Sequence, residues 1–178
     1  MDVIWSRIGV VVCFFLLFGP AGQAQGLKRG DEVAAWEPIH IAGPHAGTKT
    51  CPVCTYLDAP VVLSFTKDVD AADKLVPTLE NLAMTHAKGK LKVVLVVLDG
   101  TDDAIKALDK THRVEALMLC RPDPARKAKQ LQVYKIDQSL VNSAILYQDY
   151  VVKKTWKDLG KDSLAEVVAE AAVYLPKR

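Results

Sequence analysis

Thr48-Lys49-Thr50-Cys51-Pro52-Val53-Cys54-Thr55-Tyr56-Leu57-Asp58-Ala59-Pro60-Val61-Val62-Leu63-Ser64-Phe65-Thr66 joins two thiols to an apolar run in one short stretch. Cysteines at i and i+3 can close a small disulfide or offer two thiolates to one metal ion. The run 61–65 is short, rich in β-branched residues and bounded by Pro60, which reads as a strand covered on both faces. The segment before it, residues 42–59, is polar and rich in Gly, Pro and Thr, and loops of that length are usually functional or stapled.

Downstream the pattern repeats. Leu91-Lys-Val-Val-Leu-Val-Val-Leu98 is a second buried strand, and between the two strands Leu75, Leu79, Leu82 and Ala83 mark one face of a helix. Asp70, with Asp73 three residues on, is expected to cap that helix, Pro77 to kink it and Gly89 to end it. Thr101 or Asp102 caps a helix carrying Ile105 and Leu108; residues 114–120 read as a third buried strand and 124–131 as a short helix. Residues 143–148 and 151–156 alternate about Asp149-Tyr150 as a hairpin whose turn lacks glycine. A final helix is predicted from a Ser163/Glu166 capping box and the stripe Leu164, Val167, Val168, Ala171 and Leu175, stopped by Pro176.

Upstream, Trp36-Glu37-Pro38-Ile39-His40-Ile41 predicts a short opening strand that Pro38 confines to an edge. Residues 1–24 read as a secretory signal: Arg7 in a short n-region, the apolar core 8–18, the break at Gly19-Pro20, and small residues at Gly22-Gln23-Ala24. The expectation is an exported chain, periplasmic or secreted, beginning near Gln25, with one domain over residues 25–178 and no membrane attachment after cleavage. Removing 24 of 178 residues takes away one acid, Asp2, and one base, Arg7, so the net charge stays at +2. That balance, with no basic stripe interleaved with aromatics, excludes a nucleic-acid partner; the lysines of 127–135 and Lys153-Lys154 read as solvated faces. Three cysteines are left. Cys120 closes the apolar run Ala116-Leu117-Met118-Leu119 and reads as a small buried hydrophobe.

Strands alternating with helices, then a hairpin and a closing helix, define an α/β chain with a mostly parallel central sheet flanked by helices. The order resembles a thioredoxin-like fold of the redoxin type, related to the alkyl-hydroperoxide-reductase and thiol-peroxidase family. Gly30-Asp31-Glu32-Val33 is similar to that family's opening, Val61-Val62-Leu63-Ser64-Phe65 to its first central strand and the Pro77 helix to its active-site helix; residues 114–124 match the strand and turn it adds to plain thioredoxin. The resemblance implies a reactive cysteine just after the first central strand. Here that place reads Thr66-Lys67-Asp68-Val69-Asp70-Ala71-Ala72-Asp73, without a thiol, and Val141-Asn142-Ser143 stands where the family has a cis-proline. A peroxidase of the family's type is thereby excluded.

The chemistry is expected at Cys51 and Cys54, for which three readings stay open. The pair is a reversible or catalytic disulfide, with Cys51 the more exposed attacking thiol, Cys54 the resolving one, and protein thiols or disulfides as partners. It is a structural staple of the loop in a non-catalytic binding or assembly module. Or it joins His40 and His45 as four N/S ligands to zinc or copper. No His follows Cys54 as covalent haem attachment requires. Asp68, Asp70 and Asp73 together suggest a cation site, but helix capping explains Asp70 and Asp73 more simply.

Overall fold

Strand β2 (Val61–Asp68) is the axis of the sheet, and its first six residues are all buried. The structure is a computed structural model and describes residues 26–175. The predicted signal segment and Pro176 lie outside the described residues. On one side β2 pairs in parallel with β3 (Lys92–Asp99), and β3 in parallel with β4 (Met118–Arg121). On the other it pairs antiparallel with β5 (Asn142–Gln148), which pairs with β6 (Val151–Lys157). β1 (Ile39–Ala42) adds antiparallel to β4, giving the order β1-β4-β3-β2-β5-β6. The parallel part is therefore the central three strands, with antiparallel strands on both flanks.

The period-two alternation of β2 divides its side chains between two apolar layers. Val62 joins Val93, Leu95 and Val97 beneath α2 (Val69–His86), α3 (Asp102–His112) and α5 (Lys161–Val173), whose Leu79, Ile105 and Val167 are fully buried. Val61, Leu63 and Phe65 face the other layer with Val94, Val96, Met118 and Cys120. That second layer is closed by lighter pieces: α1 (Pro52–Tyr56) through Val53, α4 (Lys127–Val133) through Tyr134 at its end, and the N-terminal segment through Leu27, Val33 and Trp36.

The N-terminal segment crosses the whole face. Val33 N–H donates to Tyr150 O, and Glu32 bridges Val151 at the β5–β6 edge, whereas β1 lies at the opposite edge beside β4. Residues 34–38 must span the gap, and Trp36 stacks 5.6 Å from both Phe65 and Tyr134 on the way. The predicted opening strand is accordingly shortened to Ile39–Ala42. Gly43 leaves it with φ +74°, and a Cβ there would stand 1.9 Å from Leu117 O, so only glycine fits.

Three helix and strand boundaries differ from expectation. Asp68, extended and two residues earlier than Asp70, caps α2 by accepting the Ala71 N–H at 2.9 Å, while Asp73 instead meets His112 at 2.7 Å. α5 is capped by Gly160; Ser163 reaches Asp158 O, and Glu166 is drawn away by the Trp156 indole at 3.2 Å, so the capping box does not form. Residues 114–117 run into β4 without joining its ladder, because the Glu80 carboxylate takes the N–H groups of Glu115, Ala116 and Leu117 at 2.8–3.3 Å. The hairpin turn does without glycine by placing Asp149 and Tyr150 at φ 53° and 63°, the signs a two-residue primed turn needs.

Candidate functional site

Cys51 and Cys54 form a disulfide, with Cα atoms 5.3 Å apart, on the one-turn helix α1. The helix starts there for local reasons. Pro52 occupies its first turn, where a missing N–H costs nothing, and Cys51 is its N-cap with Sγ accepting the Cys54 N–H at 3.1 Å. Val53, 3% exposed, anchors the turn on the sheet. Tyr56 ends it near the amino end of β3, with Lys92 Nζ 5.2 Å from its ring centroid. Partial burial raises the Tyr56 phenol above its usual range. The exposures invert the expected order: Cys54 is exposed and Cys51 half-buried.

The histidines upstream hold the loop. His40, 1% exposed, donates Nε2–H to Thr50 O at 2.8 Å, which leaves Nδ1 as the acceptor for the Cys120 thiol at 3.3 Å. Burial lowers the His40 pKa and raises that of Cys120, so both stay neutral. His45 shares a hydrogen bond with the Tyr56 hydroxyl at 2.7 Å. Neither ring reaches the cysteine pair by any of these bonds, and among the described residues no three His, Cys, Asp or Glu side chains gather as a metal-ligand set. Cys120 is fully buried as a small hydrophobe, as its apolar run implies.

At the place where the redoxin resemblance implies a thiolate, after β2, Asp68 occupies the N-terminus of α2. The disulfide lies instead on the segment entering β2.

Beside the disulfide runs a groove of about 600 Å³, walled by residues 34–37 and by α4. The helix contributes Arg126, Lys129, Gln130, Val133 and Tyr134, a spacing of i, i+3, i+4, i+7 and i+8 that puts all five on one face. Tyr134 donates to Ala34 O at 2.6 Å, Gln130 Nε2 to Glu37 O at 3.4 Å, and Arg126 pairs with Glu37, so the two walls are tied together. Lys49, from the loop before α1, meets Asp123 just before α4 at 2.8 Å and holds that carboxyl below the usual range. Of these cations, Lys129 belongs to the run 127–135 that reads from the sequence as a solvated face. The helical spacing of 126–134 was the available signal, but it does not say what that face meets.

Neither a protein-family model nor a curated protein sequence matches the chain. Solved structures do. A Chlorobium tepidum protein assigned as thiol:disulfide interchange protein DsbE superimposes with a TM-score of 0.69 at 14% identity, over 84% of this chain and 99% of that one. The thioredoxin domain of a thiol-disulfide oxidoreductase from Bacteroides vulgatus gives 0.65 at 16% identity, over 81% and 97%. Peroxidoxin BcpB from Mycobacterium tuberculosis gives 0.66 at 17% identity, over 85% and 99%. Both kinds of neighbour share the layered sheet described above: the chain has a thioredoxin-like fold.

Proposed function

We propose that the protein is a thiol-disulfide oxidoreductase that exchanges with protein thiols and disulfides through Cys51 and Cys54. The observation that carries this reading is the closed pair itself, with Cys54 exposed and Cys51 Sγ held on a helix-terminal N–H. The thiol:disulfide interchange and oxidoreductase names of the structural neighbours support it. Export, read from residues 1–24, belongs to the same proposal, since an oxidising compartment keeps such a pair closed.

Exposure sets the order of events. A partner thiolate attacks Cys54 Sγ, the new S–S bond forms, the Cys51–Cys54 bond breaks, and Cys51 leaves as a thiolate stabilised by the Cys54 N–H. A second partner thiolate then attacks the partner's own sulfur in the mixed disulfide and releases Cys54. The partner dithiol is oxidised by two electrons, the pair is reduced, and two protons pass to the new thiolates through solvent. Run backwards, the same steps reduce a partner disulfide, with Cys54 attacking and Cys51 resolving. These are the reverse of the roles the sequence alone implies.

An insulin-reduction assay and a redox titration test the reading. Cys51→Ser and Cys54→Ser should both abolish turnover, and the mixed disulfide should accumulate on Cys54 in Cys51→Ser. Wild-type turnover by Cys51→Ser, or a pair that glutathione-range potentials do not reduce, would overturn it.

A further inference from the structure

Positive charge gathers along the β6 edge of the sheet. An open groove of about 610 Å³ there is lined by Lys28, Arg29, Lys153, Lys154 and Lys157 against a single carboxylate, Glu170. Backbone pairing brings these distant stretches of sequence together. Gly30 N–H donates to Val152 O and Val152 N–H to Asp31 O, both at 2.9 Å, and Thr155 Oγ1 donates to Leu27 O at 2.7 Å. Between these ties Lys28-Arg29 run beside Lys153-Lys154. The β5–β6 register slips at the same place: Leu146 stands opposite Lys154 but Tyr147 opposite Val152, so Lys153 is the extra residue of a bulge. A bulge breaks the alternation of an edge strand, which lets Lys153 and Lys154 both line the groove.

Like charges set side by side across paired strands are destabilising, and little here offsets them. Glu170 is taken up by Lys154 at 3.2 Å, and the nearby Asp31 by Lys135 at 3.2 Å. Lys28, Arg29, Lys153 and Lys157 form no ion pair among the described residues. The groove thus holds more positive charge than the whole chain, whose net charge is +2. We infer that it binds a soluble oligoanion built of closely spaced phosphate groups. Such a ligand brings several charges into so small a space, where a peptide segment would have to be acidic at nearly every residue. The Arg29 guanidinium fork matches phosphate oxygens in pairs, and the lysines meet them as point charges. No aromatic side chain lines the groove to stack a base, which disfavours a nucleic-acid strand. The site is separate from the cysteine pair and does not rest on the exchange reading.

Titration calorimetry of the full chain with inorganic tripolyphosphate tests this, with orthophosphate and hexaglutamate as comparisons. At low salt tripolyphosphate should bind at least about tenfold tighter than either, and 1 M NaCl should remove the binding. Lys153→Gln/Lys157→Gln should weaken it at least about fivefold. Lys88→Gln/Lys110→Gln, at exposed lysines that do not line the groove, should leave it unchanged. Tripolyphosphate should also raise the melting midpoint of wild type and leave that of the groove variant nearly unchanged. If the groove variant does not fold, Arg29→Gln is read in its place. No binding of tripolyphosphate, or equal weakening by the two double variants, overturns the inference. Hexaglutamate binding as tightly as tripolyphosphate overturns it as well, and makes an acidic polypeptide the occupant.

Discussion

Reducing the Cys51–Cys54 bond should loosen α1 and leave the sheet untouched, and the size of the effect follows from the ring it opens. A four-residue ring constrains the unfolded chain little: the chain-entropy relation gives about 2 kcal/mol, against about 3 for a 15-residue loop. In the folded state other contacts remain. Val53 and Pro52 are buried, and a fully buried valine retains about 1.5–3 kcal/mol of transfer free energy. The preceding loop is pinned without the sulfurs: His40 N–H donates to Thr48 O, Gly47 N–H to His40 O, both at 2.9 Å, and His40 Nε2 to Thr50 O. Global stability should therefore fall by no more than about 2 kcal/mol, measured by denaturant unfolding with and without reductant. In hydrogen exchange the Thr55 amide, which donates to Cys51 O at 3.0 Å, should lose up to about 30-fold protection. Val93 to Val97 should keep theirs. A loss above about 3 kcal/mol, or exchange spreading into β3, would make the bond a global staple and refute this reasoning.

Glu80→Ala should cost about 2–3 kcal/mol in denaturant unfolding, because it strips three backbone N–H groups of a charged acceptor; a loss under about 0.5 kcal/mol would show that water replaces the carboxylate. His40 sets a pH dependence. Burial lowers its folded pKa below the ordinary 6.5, with the nearby His45 acting in the same direction, so the unfolded chain binds more protons below that value. Stability should be complete above pH 6.5 and fall on acidification, by at most about 1.4 kcal/mol per pH unit from this group. The slope between pH 7 and the lowered folded value should flatten in His40→Gln, and an unchanged slope would assign the dependence to other histidines.

The parts of the fold legible in the sequence are those where one physical demand acts alone. β2 and β3 are buried on both faces, so continuous apolarity announces them, and the α2 stripe reports the layer above. Where two demands compete, the pattern misleads. Residues 114–117 look like strand because Leu117 is fully buried, yet burial there comes with Glu80 holding the backbone in place of a ladder. The Ser163/Glu166 pair looks like a capping box, but Glu166 has a better use against Trp156 and Lys154, and Gly160 starts the helix earlier. The cysteine pair is legible as a pair; the groove beside it is not. Its walls come from residues nearly a hundred positions apart, joined by bonds such as Tyr134 to Ala34 that no local periodicity encodes.

The same competition explains where the chemistry has gone. The N-terminus of the 18-residue α2 offers unpaired N–H groups and about half a positive charge from the aligned peptide dipoles, which suit an anion. Here it holds the Asp68 carboxylate, which stabilises the helix and cannot exchange electrons. A thiol placed on α1 has a single N–H, that of Cys54, in place of a long helix dipole. The rest of what exchange needs must come from the surroundings: an exposed second sulfur, cations on an adjacent face, and a surface that holds a partner chain in line. Under the proposed exchange reading Cys54 supplies the exposed sulfur, and the active position would lie at the end of β2 opposite Asp68 on the same scaffold.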